Sequence, residues 1–288
     1  MVNRQLVRRK AFMRLMMGRL FPAIMLALIA EIILLAVSHL QNGAFSALGI
    51  KFPKAADVMV PESFKNYLIN LLSDKYVLLK IAAVIAGGSV VNFIVSAPLR
   101  FGTLKWYWRA ANDKSEKIGY AINSYGSFKE IGKSLWIYIY TGLHYVKWAL
   151  LCHLPTLAVI MFGSVAYADG NHSLAVSLLG LSAFIGVGMT LLWYLITNRY
   201  FLAVYIYAER DVSAVEAVRE SVALMRGQSG GLFVFRFTLV LIEMVAMLFC
   251  SVANIFVMPY VSICEASYAA ELICPSEPKE ENIEYTVE

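Results

Sequence analysis

The sequence predicts an all-α polytopic membrane protein with about six transmembrane helices and with amphipathic interfacial helices on the cytoplasmic side. Two observations predict this fold class. Of the 288 residues, 59% are hydrophobic and only 16% are charged, whereas soluble domains are about 25% charged. The hydrophobic residues are also gathered into long blocks, and a helix needs about 20 apolar residues to cross a bilayer core. A soluble domain has no use for so many blocks of that length.

Five hydrophobic blocks reach the length of a membrane span. Each of the first four is long enough for one crossing, and the fifth is long enough for two if the chain turns near residues 251–254. This division gives six spans with both chain ends on the same side of the membrane. The blocks cover residues 20–40, 76–99, 135–167, 175–197 and 232–273.

The distribution of lysine and arginine predicts the orientation, because these residues concentrate in cytoplasmic loops. Seventeen of them lie in segments 1–19, 100–134 and 198–231, against four in segments 41–75 and 168–174. We therefore predict a cytoplasmic N-terminus. The net charge of +5 is explained by this topology, since the charges flank membrane spans, and we predict no nucleic-acid partner.

Two segments have the pattern of lipid-facing surfaces. On a helical wheel, residues 4–20 place most arginines on one face and most methionines and leucines on the other, as in helices that lie on an anionic membrane surface. Residues 105–109 consist of three aromatic side chains flanked by a lysine and an arginine, as in the interfacial belts of membrane proteins. The predicted contacts to anionic lipid headgroups are Arg4, Arg8, Arg14, Arg19, Lys105, Trp106, Trp108 and Arg109.

A further amphipathic helix begins with a capping box. Ser213 and Glu216 have the spacing at which each side chain accepts a hydrogen bond from an unpaired backbone amide of the first turn. Gly227 follows the apolar stripe of this helix and supplies the left-handed residue that commonly ends helices. We therefore predict a helix between these positions.

The chain is interpreted as one membrane domain, residues 1–273, followed by a tail. The domain divides into three predicted units, 1–97, 98–197 and 198–273. Each unit is predicted to contain an amphipathic helix, a glycine, an outward span and an inward span. Shared membrane constraints explain this likeness as well as an internal repeat does. Residues 274–288 contain five glutamates and two prolines without apolar periodicity, which predicts a disordered acidic tail. The tail is either a solvated end or a partner-binding peptide.

Ionisable residues inside the spans are candidate functional groups, because burying a charge in hydrocarbon is costly unless the charge is paired or hydrated. Glu31, Lys147 and Glu243 lie 11, 12 and 11 residues after the leucine that opens each outward span, which predicts a shared depth near the midplane. His144 lies one turn before Lys147. These residues form either a proton or substrate path or an interhelical salt bridge. Arg236 lies nearer to a span end and is expected to extend to the headgroups.

Enzyme motifs are absent from the sequence. It contains no HExxH zinc motif and no glycine-rich nucleotide loop. Residues 227–231 match the letters of a GxSxG nucleophile elbow, but that elbow requires a preceding strand and a histidine partner, and here a capped helix precedes it. We therefore predict a protein without catalytic activity, cofactor or metal.

Four short motifs resemble a known family. These are PLRFG at 98–102, GSF at 126–128, AVEAVRESVALMRG at 214–227, and Pro259-Tyr260 with Tyr268. They resemble the bacterial polytopic membrane family catalogued as domain of unknown function 975, which is distantly similar to the membrane domain of glycerophosphodiester phosphodiesterases. The resemblance covers residues 8–272. The family usually has Pro-Gly in its third span, where this chain has Pro155-Thr156.

The resemblance implies a multi-pass protein of a bacterial plasma membrane and supplies no activity and no catalytic residues. Two functions are consistent with the sequence. The first is a membrane scaffold or accessory protein that binds the lipid surface and partners, either other membrane proteins or further copies of itself. The second is a small-solute transporter or permease subunit that uses Glu31, Lys147 and Glu243.

Thiol labelling tests the predicted topology. In a background without native cysteines, single cysteines at Asn42 and His172 should react with a membrane-impermeant reagent in intact cells, because both positions are predicted to lie outside. A cysteine at Ser276 should react only after permeabilisation. A permeant reagent provides the control for reactivity. Labelling of the Ser276 position in intact cells would contradict the six-span topology.

Overall fold

The protein is all-helical in the computed structural model, which describes residues 2–49, 75–114, 117–210, 212–249 and 253–275. Every regular element in these ranges is a helix, which confirms the predicted fold class. Two residues of the predicted turn, 251 and 252, and the tail from 276 onward lie outside the described residues.

The described residues form ten α-helices, with short 3-10 turns at residues 123–125 and 198–200. They are α1 (Arg4–Met16), α2 (Leu20–Ala47), α3 (Lys75–Ala111), α4 (Gly119–Ile122), α5 (Phe128–Ala168), α6 (His172–Thr197), α7 (Ala203–Glu209), α8 (Ala214–Leu224), α9 (Ser229–Phe249) and α10 (Asn254–Ile273).

Five helical stretches among the described residues are long and apolar enough to cross a membrane. They are α2, α3, α5, the run from α6 through α7, and α9. The sixth predicted span corresponds to α10, which has 20 residues but is not among the five. It carries Glu265 and Glu271, and both carboxylates form ion pairs within the protein. The multi-pass architecture is therefore clear.

The helices α5 and α6 form an antiparallel hairpin around a tight turn in which Gly170 has a φ of +78°. Small residues allow the two helices to approach closely. A Cβ atom on Gly163 would lie 3.4 Å from the Cβ atom of Leu178, and one on Gly186 would lie 3.4 Å from a methyl carbon of Thr156. The glycines therefore allow α5 and α6 to pack closely against each other.

The hydrophobic core lies at the end of the bundle that carries α1, and we call it the basal core. It is built from α1, the C-terminal part of α3, α7, the N-terminal part of α9 and the C-terminal part of α10. The parts of α5 and α6 near the turn that joins them, which we call their outer parts, bury few side chains apart from those in contact between the two helices. Fully buried members of the basal core include Val7, Phe101, Trp106, Leu202, Ile206, Leu232, Phe235, Ile263 and Tyr268.

The two described ends of the chain meet at this basal end. Val2 and Asn3 line one cavity together with Leu272 and Pro275. Because α1 packs along α10, the N-terminal helix is anchored on the last helix of the chain. An even number of crossings would give this arrangement of ends.

In both the first and the third predicted units, a short helix is followed by a glycine with a positive φ and then by a long apolar helix. Gly18 lies between α1 and α2 and has a φ of +81°, and Gly227 lies between α8 and α9 and has a φ of +75°. In the middle unit Gly126 has a φ of −66°, so the likeness is weaker there. Duplication of a common unit stays a prediction.

The predicted capping box at the start of α8 is confirmed. The Glu216 amide donates to the Ser213 hydroxyl over 3.2 Å, and the Ser213 amide donates to the Glu216 carboxylate over 2.9 Å. The backbone hydrogen bond from Ser213, followed by that of its hydroxyl, holds the pKa of the Glu216 carboxyl below its usual value. The box thus fixes the first turn of α8.

Replacing the cap serine should weaken that first turn. Ser213→Ala removes the acceptor of one amide and should lower local stability by about 1 kcal/mol. Hydrogen exchange of the α8 amides measures the change, and Val215→Ala, a change at an exposed position of the same turn, is the matched control. Equal exchange in both variants would mean that the cap does not stabilise the helix.

Candidate functional site

An ion pair between α9 and α10 lies beside the basal core. The Nε atom of Arg236 donates to Glu265 over 2.8 Å, and its Nη1 atom donates to the Asn198 side-chain oxygen over 3.4 Å. The guanidinium carbon is 4.5 Å from the centroid of the Phe201 ring. The two charged side chains are only 24% and 27% exposed. Arg236 therefore points into the protein, and the expectation that it extends to the headgroups is wrong.

Aromatic rings surround this pair. The Phe201 ring contacts Tyr205 at 5.4 Å and Tyr268 at 6.5 Å between centroids, and Tyr268 contacts Phe235 at 4.8 Å. A guanidinium stacks well on aromatic faces and presents fixed donors to a carboxylate. The arrangement connects α9 and α10 to the link between α6 and α7.

Basic residues of α1 and of the link between α1 and α2 also pair with groups of the protein itself. Lys10 pairs with Glu271 of α10 at 2.7 Å, and Arg14 pairs with Asp113 at 2.9 Å. Arg19 donates to the Ala110 carbonyl over 2.7 Å and lies 3.5 Å from Asp113. Arg14 and Arg19 were predicted to bind lipid headgroups, and the structure directs both toward the end of α3 instead.

The other two predicted lipid contacts of α1 have different surroundings. The Arg8 guanidinium lies 5.9 Å from the centroid of the buried Phe235 ring, so this side chain also turns toward the protein. Arg4 is partly exposed, and its predicted contact to lipid stays a prediction. The basic face of α1 is thus largely a protein-packing face.

The α1 helix has two apolar surfaces rather than one. Val7, Ala11 and Leu15 follow one another at four-residue spacing and are at most 3% exposed. They pack into the basal core. A second apolar surface, which we call the exposed α1 face, carries Leu6, Phe12, Met13, Met16 and Met17, each between 47% and 70% exposed.

The aromatic segment of α3 lies in the core. Trp106 and Trp108 are each 2% exposed, and the Trp108 indole donates to Glu209 over 2.8 Å. The prediction that these two residues contact lipid is therefore wrong. The reason is that α7, which contacts this end of α3, covers the side chains that would otherwise face headgroups.

Lys105 and Arg109, which were predicted together with the tryptophans, have partners as well. Lys105 lies 3.5 Å from Glu130 and 4.5 Å from the centroid of the Phe101 ring. The Arg109 guanidinium lies 4.5 Å from the centroid of the Tyr120 ring. These contacts tie α3 to α4 and to the start of α5.

Glu31 lines a cavity of about 320 Å³ between α2, α3 and α10. Arg100 of α3, which sequence analysis did not select as a site residue, lines the same cavity. Both side chains are exposed, and no ion pair joins them within 4.0 Å among the described contacts. The cavity therefore contains one carboxylate and one guanidinium for which the described residues provide no ion-pair partner.

The other predicted intramembrane charges lie elsewhere. Lys147 is exposed on α5, with its ammonium 5.9 Å from the centroid of the Trp148 ring. His144 is hydrogen-bonded through Nδ1 to the Tyr140 carbonyl oxygen at 2.9 Å. Glu243 is partly buried on α9. Within the described part of the chain, no ion pair connects Glu31, Lys147 and Glu243.

The uncharged stretches of α3 and α5 indicate that Glu31 and Lys147 lie near the edge of the hydrocarbon layer and not at its midplane. Residues 81–99 of α3 carry no charge, and at about 1.5 Å per residue they span about 28 Å, close to the hydrocarbon thickness. Arg100 ends this stretch, and Glu31 shares its cavity. The depth predicted from the sequence was counted from residue 20 as the start of the span. Because Ala23 and Leu26 belong to the basal core, the part of α2 in the hydrocarbon layer begins after them. Lys147 likewise precedes an uncharged stretch, 148–168.

Comparison of the chain with protein-family models, with curated proteins and with solved structures finds no match. The resemblance drawn from the loop motifs therefore stays a prediction, and the geometry of the site carries the functional argument.

The contact of Asp113 with two arginines predicts a change in acid stability. A hydrogen bond from Arg14, with further contributions from Arg19, lowers the pKa of this carboxyl. A lowered pKa stabilises the fold above the ordinary value of about 3.9, and this contribution is lost as the pH falls through the lowered value. Because the side chain is 63% exposed, the contribution at neutral pH should be below about 1 kcal/mol.

Asp113→Asn isolates this effect, because asparagine tolerates the positive φ of 58° at this position. Thermal unfolding in detergent at neutral pH and near pH 3 should differ less in Asp113→Asn than in the parent. Asp169→Asn, at the exposed turn between α5 and α6, is the control. A parent-like pH dependence in Asp113→Asn would contradict the role of this carboxylate.

Proposed function

We propose that the protein is a non-catalytic scaffold or accessory protein of the membrane, which binds the lipid surface and partner proteins. The observation that carries this proposal is the exposed α1 face. Five large apolar side chains lie together on it, each about half exposed or more. A contiguous exposed apolar surface marks an interaction site with a membrane or a protein.

The exposed α1 face is held rigidly. On the opposite side of the helix, Val7, Ala11 and Leu15 are buried, and Lys10 is bound to Glu271. An anchored helix presents the same surface continuously and loses little conformational entropy on binding. Methionines dominate the face, and their flexible side chains adapt to irregular partners.

The position of α1 supports contact with lipid. The Phe12 ring lies 6.5 Å from the ring of Tyr260, which precedes Glu265 by more than one turn of α10 and therefore lies further from the basal end. A groove beside the face combines Arg9 with Met13 and Met17. Cationic and apolar groups in one place suit an anionic headgroup and its acyl chain.

The second candidate function is a small-solute transporter or permease subunit. The cavity that contains Glu31 favours it, because an unpaired charge near a membrane cavity is a common feature of solute paths. A variant in which Glu31→Gln, Lys147→Met and Glu243→Gln are combined separates the two functions. If the triple variant folds and loses a flux or growth phenotype, transport is supported.

Spin labels test the lipid contact of the exposed α1 face. Labels at Met13 and Met17 should collide more often with oxygen, which concentrates in lipid, than with a water-soluble nickel chelate. A label at Arg219, on the polar side of α8 where the residue is exposed, is the matched control and should show the reverse preference. The same preference at all three positions would contradict a membrane-bound α1.

A further inference from the structure

The cavity between α2, α3 and α10 has walls that are chiefly apolar and a few polar groups. Its volume is about 320 Å³. Small residues of α2, Ala27 and Ala30, leave room beside Leu34. Residues of α3 and α10 that carry hydroxyl groups also line it, among them Ser96, Tyr107 and Ser262.

Two opposite charges in this cavity have no charged partner among the described residues. Glu31 and Arg100 are exposed to it, and the side chain of neither forms an ion pair or a hydrogen bond among the described contacts. Beside the basal core, by contrast, Arg236 forms an ion pair with Glu265. Charges next to hydrocarbon are costly unless they are paired or hydrated, so the cavity suits a ligand that carries both signs of charge.

The depth of the cavity matches that of lipid headgroups. Arg100 follows the uncharged residues 81–99, and Lys80 precedes them. The two basic residues thus bracket a length of about 28 Å, which is that of the hydrocarbon layer. A ligand that is already in the bilayer would meet this cavity with its headgroup beside Arg100 and its chains along the apolar wall.

We propose that this cavity binds a zwitterionic phospholipid whose headgroup contains a phosphate and a primary ammonium. Arg100 binds the phosphate, because a guanidinium forms paired hydrogen bonds with phosphate oxygens. Glu31 accepts hydrogen bonds from the ammonium. A quaternary ammonium has no N–H group to donate, and an anionic headgroup would bring negative charge to Glu31. This assignment goes beyond the scaffold proposal, which rests on α1.

Retained lipid measures the proposed selectivity. The full-length protein is reconstituted in vesicles of equal parts phosphatidylethanolamine, phosphatidylcholine and phosphatidylglycerol, re-extracted in mild detergent, and its bound lipid is quantified by mass spectrometry. We expect phosphatidylethanolamine to be enriched about tenfold over the other two, as one or two charge-assisted hydrogen bonds would give. Retention in the proportions of the vesicle, or equal enrichment of phosphatidylcholine, would overturn the proposal.

Variants assign the roles of the two charges. Glu31→Gln should abolish the preference over phosphatidylcholine and phosphatidylglycerol, and Arg100→Gln should lower the retention of phosphatidylethanolamine itself about tenfold. Lys147→Gln, which removes an exposed charge outside the cavity, should leave retention unchanged. Parent-like selectivity in folded Glu31→Gln would overturn the assignment.

A filled cavity provides a test that leaves both charges in place. Ala30→Phe introduces a ring into the lining and should displace the lipid, while gel filtration and thermal unfolding report whether the fold is kept. Loss of phosphatidylethanolamine in a folded Ala30→Phe variant supports the cavity as the site. Full retention would show that the lipid binds elsewhere and would overturn the proposal.

Discussion

The ion pair between Arg236 and Glu265 is the interaction on which the arrangement of helices depends. It joins α9 to α10, and its hydrogen bond to Asn198 and its contact with Phe201 extend the connection to the link between α6 and α7. In turn α10 contacts α1, α2 and α3. Three-quarters of each charged side chain is removed from solvent, so either partner alone would be a costly unpaired charge.

The charges of this protein divide the molecule into two parts with different physical roles. Toward the basal end, ion pairs such as Lys10 with Glu271 fix a core that contains the buried Trp106 and Trp108. Toward the other end, uncharged helices expose apolar side chains, as the outer parts of α5 and α6 do. The two proposed binding surfaces, the exposed α1 face and the cavity of Glu31, both lie where these parts meet.

Local features were predictable from the sequence, and contacts between distant residues were not. The capping box of Ser213 and the existence of the long helices depend on neighbouring residues. The pairing of Arg236 with Glu265 joins positions 29 residues apart, and no spacing rule indicates it. A helical wheel likewise identifies the apolar residues of α1 but does not tell which of its sides the protein covers. One feature of the sequence could have identified Arg100 as a site residue, which is its position at the end of an uncharged stretch.

A double-mutant cycle on Arg236 and Glu265 tests the central claim most directly. The measurement is unfolding of Arg236→Met, Glu265→Gln and the combined variant in detergent. Each single variant should lose about 3–5 kcal/mol, because it leaves one charge unpaired in a largely buried site. The combined variant should lose clearly less than the sum of the two. Additive losses would contradict the account, because they would mean that the two side chains stabilise the helices independently.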